Sequence, residues 1–252
     1  MTHSLDIGAI VAATHNFRAT LGRVKEDNPP EGFTWYGYDI LSNTHHLDFL
    51  LKGENRQLFE KVGGLPIADI GAADGDLGYL FESLGFDVDI VDWPATNWNG
   101  LQGAAHLKEL LGAKVDIHPM DLDSYFTPPR AEYGVALFLG ILYHLKNPYY
   151  VMEKLARHAR YTFVSTRVAR YTTDRRLELA QAPVAYLLAP DECNNDATNY
   201  WIFSVPGLKR LFDRCGWDVV EFATVGDVEN SNPSEPQRDE RAFALLKSRH
   251  FA

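Results

Sequence analysis

The chain has 252 residues, 46% hydrophobic and 23% charged, with a formal net charge of −10 at neutral pH. That length and composition fit a globular protein with a full hydrophobic core, and no apolar run reaches the ~18 residues of a membrane span. The acidic balance opposes a nucleic-acid partner, whose phosphates call for a basic face. The two cysteines, Cys193 and Cys215, support neither a disulfide framework nor a metal cluster, and an N-terminus without signal-peptide architecture points to the cytoplasm.

Residues 5–24 carry apolar side chains at helical spacing (Leu5, Ile10, Val11, Phe17, Leu21), and the run EDNPPEG breaks the pattern. Trp35 to Gly53 is rich in aromatic residues and histidine. Residues 1–60 are therefore read as a helical cap over the open end of a sheet. Residues 61–252 then alternate as βαβ units do. Strands are predicted near 66–70, 87–91, 115–119, 134–139, 160–165, 217–223 and 241–247. Helices are predicted near 77–84, 101–112, 148–158 and 205–215. The segment 168–203 is longer than a connection requires and reads as a functional lid. The expected class is α/β, a doubly wound, Rossmann-like sheet of seven strands with cap and lid.

The first strand runs into Ile67–Gly78, IADIGAADGDLG, where Gly71, Gly75 and Gly78 break the apolar pattern before Leu77–Leu84 resumes at helical spacing. A strand, a glycine turn and a helix form the nucleotide cradle of doubly wound folds. The second strand ends on Asp92, 21 residues beyond Gly71, where an acid holds ribose hydroxyls. A dinucleotide loop would place further glycines at positions 73 and 76, and this chain has Ala73 and Asp76. Asp69, Asp74 and Asp76 around the loop would repel a diphosphate by several kcal/mol at intermediate dielectric. A nucleoside ligand with a cationic amino acid end, S-adenosylmethionine, suits that charge.

The pattern D-I-G-x-x-x-G, the acid closing the second strand and a third acid in HPMDLD resemble the class I S-adenosylmethionine-dependent methyltransferases. The run FLGILYHLKNP and the later NYWIFSVPGLKRLFDRCGW resemble the branch that holds the tRNA wobble-uridine (carboxy)methyltransferases and their small-molecule relatives. The resemblance spans roughly Trp35 to Lys247. It implies a last strand inserted antiparallel beside the fifth, and a cofactor site of Asp69, Gly71, Ala72, Gly75, Asp92, Trp93, Asp121, Leu122, Leu139 and Gly140. In that reading Asp69 meets the methionine ammonium, Asp92 the ribose hydroxyls, and Asp121 with Leu122 the adenine edge. Trp93 either stacks on adenine or belongs to the core.

Tyr143 and His144, where the fourth strand opens, are the candidate catalytic residues; a histidine titrates near operating pH and can act as a general base. Trp35, Tyr38 and His45 in the cap, Asn199 and Tyr200 after the lid, and Arg241 are candidate substrate-binding residues. Adjacent His45 and His46 rarely point at one ion, so no metal is expected. Tyr143 and Arg241 match groups that hold the extra carboxylate of carboxy-S-adenosylmethionine in the wobble-uridine enzymes. A third basic position falls on Glu31, which reverses the sign and favours ordinary S-adenosylmethionine. The expected function is methyl transfer to the oxygen or nitrogen of a small-molecule acceptor, by a monomer or homodimer without membrane association. The alternatives are a tRNA-modifying enzyme and a non-catalytic cofactor-binding module.

Overall fold

The computed structural model describes residues 5–251. Two compact units are present: residues 1–121 with 129–137, and residues 122–128 with 138–252.

In the first unit, the Asp6 carboxylate accepts the Ala9 N–H at 2.9 Å and caps α1 (Ile7–Asp27), which turns Ile7, Ile10, Thr14 and Leu21 inward. The helix stops just before Pro29 and Pro30, three residues beyond the predicted limit. Two further helices, α2 (Asn43–Leu50) and α3 (Leu58–Lys61), complete the segment before the sheet. The sheet follows as β1 (Ile67–Ile70), α4 (Asp76–Ser83), β2 (Val88–Asp92), α5 (Gln102–Leu111), β3 (Asp116–Pro119) and β4 (Tyr133–Leu139). These strands are parallel in the order β3-β2-β1-β4, with Ile67 beside both Val88 and Val135. β1 and β2 are buried along their whole length, as strands covered on both faces are.

The second unit contains α6 (Pro148–Ala156), β5 (Ala159–Val168), β6 (Ala185–Leu187), β7 (Trp201–Phe203), α7 (Val205–Arg214), β8 (Trp217–Gly226) and β9 (Glu240–Ser248). β9 runs antiparallel to β5 from Tyr161↔Lys247 to Val168↔Glu240, as the resemblance implies, and antiparallel to β8 on its other side. Nine strands are present among the described residues rather than seven. The additions, β6 and β7, are three-residue strands inside the segment read as a lid, too short for alternation to reveal them. That segment has a core of its own, in which Ala169, Leu179, Leu188, Cys193 and Ile202 are buried with Val184 and Tyr186 packed against them.

A buried ion cluster ties the early strands of the first unit together. Asp89 on β2 is 1% exposed and accepts from Arg130 Nε at 2.7 Å, Arg130 Nη2 at 2.9 Å and the Tyr133 hydroxyl at 2.5 Å. Burial alone pushes its carboxyl upward, but the Arg130 and Tyr133 hydrogen bonds outweigh it and hold the group below the ordinary carboxylate range. Asp89→Ala leaves the buried Tyr133 phenol without its acceptor and Arg130 with the exposed Asp87 as its close partner, and is expected to cost about 3 kcal/mol in urea denaturation. Because the folded value is depressed, this stabilisation is present above the ordinary value of 3.8 and is lost as the pH falls below it. The deficit of the variant should therefore shrink on acidification.

Candidate functional site

The loop between β1 and α4 is held by its own backbone and by carboxylates. The Gly71 N–H donates to Val91 O at 2.8 Å and the Gly75 N–H to Ala72 O at 2.7 Å, with Ala72 itself buried. Gly71 and Gly75 take φ of 71° and 82°, the left-handed region where a glycine costs nothing. Ala73 sits there too, at φ 57°, in a conformation that an L side chain resists by about 1–2 kcal/mol. A clamp holds it: its N–H donates to Asp92 Oδ2 at 3.0 Å, and the Asn97 amide donates both to Ala73 O at 3.1 Å and to Asp92 Oδ2 at 3.0 Å. The other oxygen of Asp92 accepts the Trp93 N–H at 2.7 Å. The acid expected under a ribose thus also fastens the glycine loop.

Asp69, at the centre of β1, is 4% exposed and accepts the Gly78 N–H at 2.9 Å. Burial pushes its carboxyl up to about 7, against the Gly78 hydrogen bond and with help from the charges of Asp92 and Asp76. Burial pushes the Asp76 carboxyl up as well, against the pull of a lysine that it shares with Asp74. Lys25, near the end of α1, sits 3.1 Å from Asp74 Oδ2 and 2.9 Å from Asp76 Oδ1. Asp74 is fully buried and also accepts the Tyr36 N–H at 2.9 Å and the Asn99 amide at 2.8 Å. The loop therefore does not present three bare acids; two are paired by a lysine some fifty residues upstream, and Asp69 stands apart from them.

The cap candidates divide. Trp35 is half-buried, with its ring 5.2 Å from the Lys25 ammonium and stacked on His106 at 5.8 Å. Tyr38 is 63% exposed and meets Tyr36 edge-on at 5.4 Å. His45 is exposed on α2, edge-on to His15. Trp93 and Asp121 are half-buried. A groove of about 450 Å³ is lined by Phe33, Thr34, Pro94, Asn97, Trp98 and Asn99 together with Gly32, Gly100 and Gln102.

The second unit carries the remaining candidates. Leu139 ends β4, Leu122 is buried, and Gly140 at φ 77° donates its N–H to Ser165 O at 2.9 Å. Tyr143 and His144 lie on a short 3₁₀ turn with ring centroids 4.3 Å apart. The Arg241 guanidinium lies 5.7 Å from the Tyr143 ring and 3.5 Å from Asp239 Oδ2. His144 Nδ1 is 2.9 Å from Thr198 Oγ1 and 3.1 Å from Thr198 O. Burial lowers its imidazole below the ordinary range, and Arg241 adds to that while Thr198 and Asp196 oppose it. Asn199 is 3% exposed and gives its amide to Cys193 O and Asp196 O; the Tyr200 N–H reaches Tyr143 O at 2.8 Å, with its ring under the Lys146 ammonium. A groove of about 820 Å³, lined by Thr173, Glu192, Asn194, Asn195 and Ser234 among others, includes none of these residues.

Lys25, Asn97, Asn99, Asp196 and Thr198 do not stand out from the sequence. Only the asparagines carried a local signal, the turn-forming run Thr96-Asn97-Trp98-Asn99-Gly100. Removing the cation from the buried pairs by Lys25→Met is expected to cost about 3 kcal/mol, a fall in melting temperature of roughly 6–12 °C for a chain of this size. Calorimetric melting of Lys25→Met, with Lys25→Met/Asp76→Asn expected to recover part of the loss, checks this.

No family model and no curated protein matches this sequence. Solved structures do. The N-terminal domain of EvdMO1, crystallised in the presence of S-adenosylhomocysteine (SAH) and D-fucose, overlays with a TM-score of 0.59 at 17% identity, over 92% of this chain and 97% of that one. The [4+2]-cyclase SpnF overlays at 0.55 and 13% identity, over 92% of both chains. A protein from Bacillus halodurans C-125, named provisionally as a methyltransferase, overlays at 0.55 and 13% identity, over 76% of this chain and 96% of that one. At these identities the likeness establishes architecture: the chain has the Rossmann-like α/β fold of these proteins, with parallel strands and an antiparallel partner to the fifth.

Proposed function

We propose that this protein is an S-adenosylmethionine-dependent methyltransferase acting on a small-molecule acceptor, at oxygen or nitrogen. The observation that carries the reading is Asp69: a buried carboxyl at the glycine loop, pushed up to about 7, beside a loop whose other two acids share the one ammonium of Lys25. Leaving such a group unpaired is costly, and a ligand ammonium would relieve the cost. The loop backbone from Gly71 to Gly75 would line the amino acid end of the cofactor. Asp92 Oδ1, which accepts one protein N–H, would take ribose hydroxyls. Trp93 and Asp121 would meet adenine. Bound there, the cofactor would supply an electrophilic methyl on a sulfonium. The protein's task is then to align the acceptor and exclude water, an effect of roughly 7–11 kcal/mol when alignment is complete. The overlaid EvdMO1 domain, crystallised with the SAH product of such a transfer, supports this reading.

Ordinary S-adenosylmethionine is favoured over the carboxy form, because Arg241 already has an anionic partner in Asp239. A tRNA acceptor is disfavoured by the net charge of −10. Fold alone does not dictate chemistry, and the overlay on a [4+2] cyclase keeps a cofactor-binding protein with another activity as the second reading. Within the methyltransferase reading, His144 is the candidate base, Tyr143 lines the methyl-accepting side, and Trp35, Tyr38, His45, Asn199, Tyr200 and Arg241 remain candidates for acceptor contact or for shaping it.

Isothermal titration with S-adenosylmethionine is expected to give micromolar affinity, at least tenfold weaker in Asp69→Asn, since the lost charge-assisted hydrogen bond is worth about 1.5–3 kcal/mol. Binding should be tightest between about pH 7 and 8. Below that window Asp69 is protonated, and above it the ligand's α-ammonium, ordinarily about 7.7–8.0, loses its proton. Absence of binding to the parent protein would overturn the cofactor assignment. A second consequence concerns stability. The folded value of Asp69 is raised above its ordinary 3.8, so its contribution is complete below that pH and is lost as the pH rises through about 7. Asp69→Asn should therefore raise the melting temperature of the ligand-free protein more at pH 8 than at pH 5.

A further inference from the structure

His144 and its partners form a relay whose proton positions can be deduced from donors and acceptors alone. The Thr198 hydroxyl lies 2.7 Å from Asp196 Oδ1, and the Thr198 N–H donates to the same oxygen at 2.9 Å. Asp196 is ionised: burial pushes its carboxyl up, but the two Thr198 donors outweigh this and hold it below the ordinary range. A hydroxyl has one proton, and an ionised carboxylate only accepts, so the proton of Thr198 Oγ1 is committed to Asp196. What Thr198 then offers His144 Nδ1 is a hydroxyl lone pair at 2.9 Å and a carbonyl oxygen at 3.1 Å. Both are acceptors. The ring nitrogen facing them must therefore be the donor, and in a neutral imidazole the other nitrogen is bare.

Resting on the methyl-transfer reading above, we propose that Thr198 and Asp196 are positioning residues that fix His144 as its Nδ1–H tautomer and turn Nε2 into the proton acceptor for the methyl-accepting group. The relay is anchored on both sides. The Asp196 N–H donates to Cys193 O at 3.1 Å, and the Asn199 amide binds Cys193 O and Asp196 O across the same turn. Tyr200 N–H to Tyr143 O joins that turn to the 3₁₀ segment bearing His144. The turn is built with Asn194 and Asn195 at φ 57° and 52°, the region asparagine tolerates better than other side chains. The charged and titratable groups facing the ring oppose one another: Asp196 favours the imidazolium, Arg241 disfavours it, and Tyr143 packs on its face. During transfer the acceptor's proton would pass to Nε2 as the new bond to carbon forms, and from the imidazolium to water. One proton is thus released for each methyl moved from sulfur to the acceptor.

The test reads the tautomer directly, by long-range nitrogen–proton correlation on protein labelled at histidine nitrogen, with His144→Gln identifying the signals of residue 144. The Nδ1–H form is expected in the parent protein at neutral pH. Thr198→Val, which keeps shape and backbone but deletes the hydroxyl acceptor, is expected to lower the ratio of Nδ1–H to Nε2–H roughly fivefold, the worth of one ordinary hydrogen bond. An Nε2–H tautomer in the parent protein, or a ratio unmoved in Thr198→Val, overturns the proposal. Titration of both proteins with S-adenosylmethionine separates this from the reading beneath it. Unchanged affinity in Thr198→Val is expected, because no cofactor contact is removed. Failure of the parent protein to bind defeats the cofactor assignment while the tautomer is still read.

Discussion

One fully buried carboxylate organises the first unit. Asp74 accepts from Lys25, from the Tyr36 N–H and from the Asn99 amide, and so joins α1, the segment after it, the glycine loop and the entrance to α5. An unpaired carboxylate at zero exposure would cost several kcal/mol, so these donors must all be present for the loop to close. The same requirement explains Gly103: a β-carbon there would fall 2.0 Å from Asp74 Oδ1. Asn99 in turn holds Thr34 O at 3.2 Å, so the chain between α1 and α2 is fastened at two successive points. The loop's shape is consequently set as much by what lies beneath it as by its own glycines.

The charge of the loop changes meaning in that light. Read along the sequence, Asp69, Asp74 and Asp76 are three like charges that would repel a diphosphate. In the fold, Lys25 lies within ion-pair distance of two of them, and the repulsion argument weakens accordingly. The conclusion survives on another footing. Asp69 and Asp92 are buried carboxylates with raised values, as is the lysine-paired Asp76, and Asp92 spends most of its hydrogen-bonding capacity on Ala73, Asn97 and Trp93. A single cation at Asp69 suits this arrangement better than a doubly charged anion does.

Much of the architecture was legible because periodicity is local. The parallel strands, the glycine breaks and the boundaries of α4 to α7 all follow from spacing within ten or so residues, and they fall close to their predicted positions. What escaped is non-local or short. Lys25 lies near the end of a long helix, some fifty residues from Asp74, and nothing local marks it as that carboxylate's partner. β6 and β7 pair over three residues each, too few for alternation to declare itself. The relay of Asp196, Thr198 and His144 joins positions about fifty residues apart, and Asp196 and Thr198 look like ordinary turn formers. Asn199 stood out in the sequence, yet its amide serves the backbone of that turn.

The same non-locality bears on why Ala73 is tolerated in a loop of this kind. Its left-handed backbone is worth a penalty comparable to one good hydrogen bond, and here three contacts oppose it: the Ala73 N–H to Asp92, the Asn97 amide to Ala73 O, and Asn97 to Asp92. Strain is thus held by the residue proposed to meet the ribose. Any ligand drawing on Asp92 Oδ1 would share that carboxylate with the clamp, so cofactor contact and loop geometry are coupled through one side chain. Substituting Asp92 therefore confounds binding with folding. Asp69 is the cleaner probe: its contact to Gly78 N–H needs only an acceptor oxygen, which asparagine supplies, and the charge alone is removed.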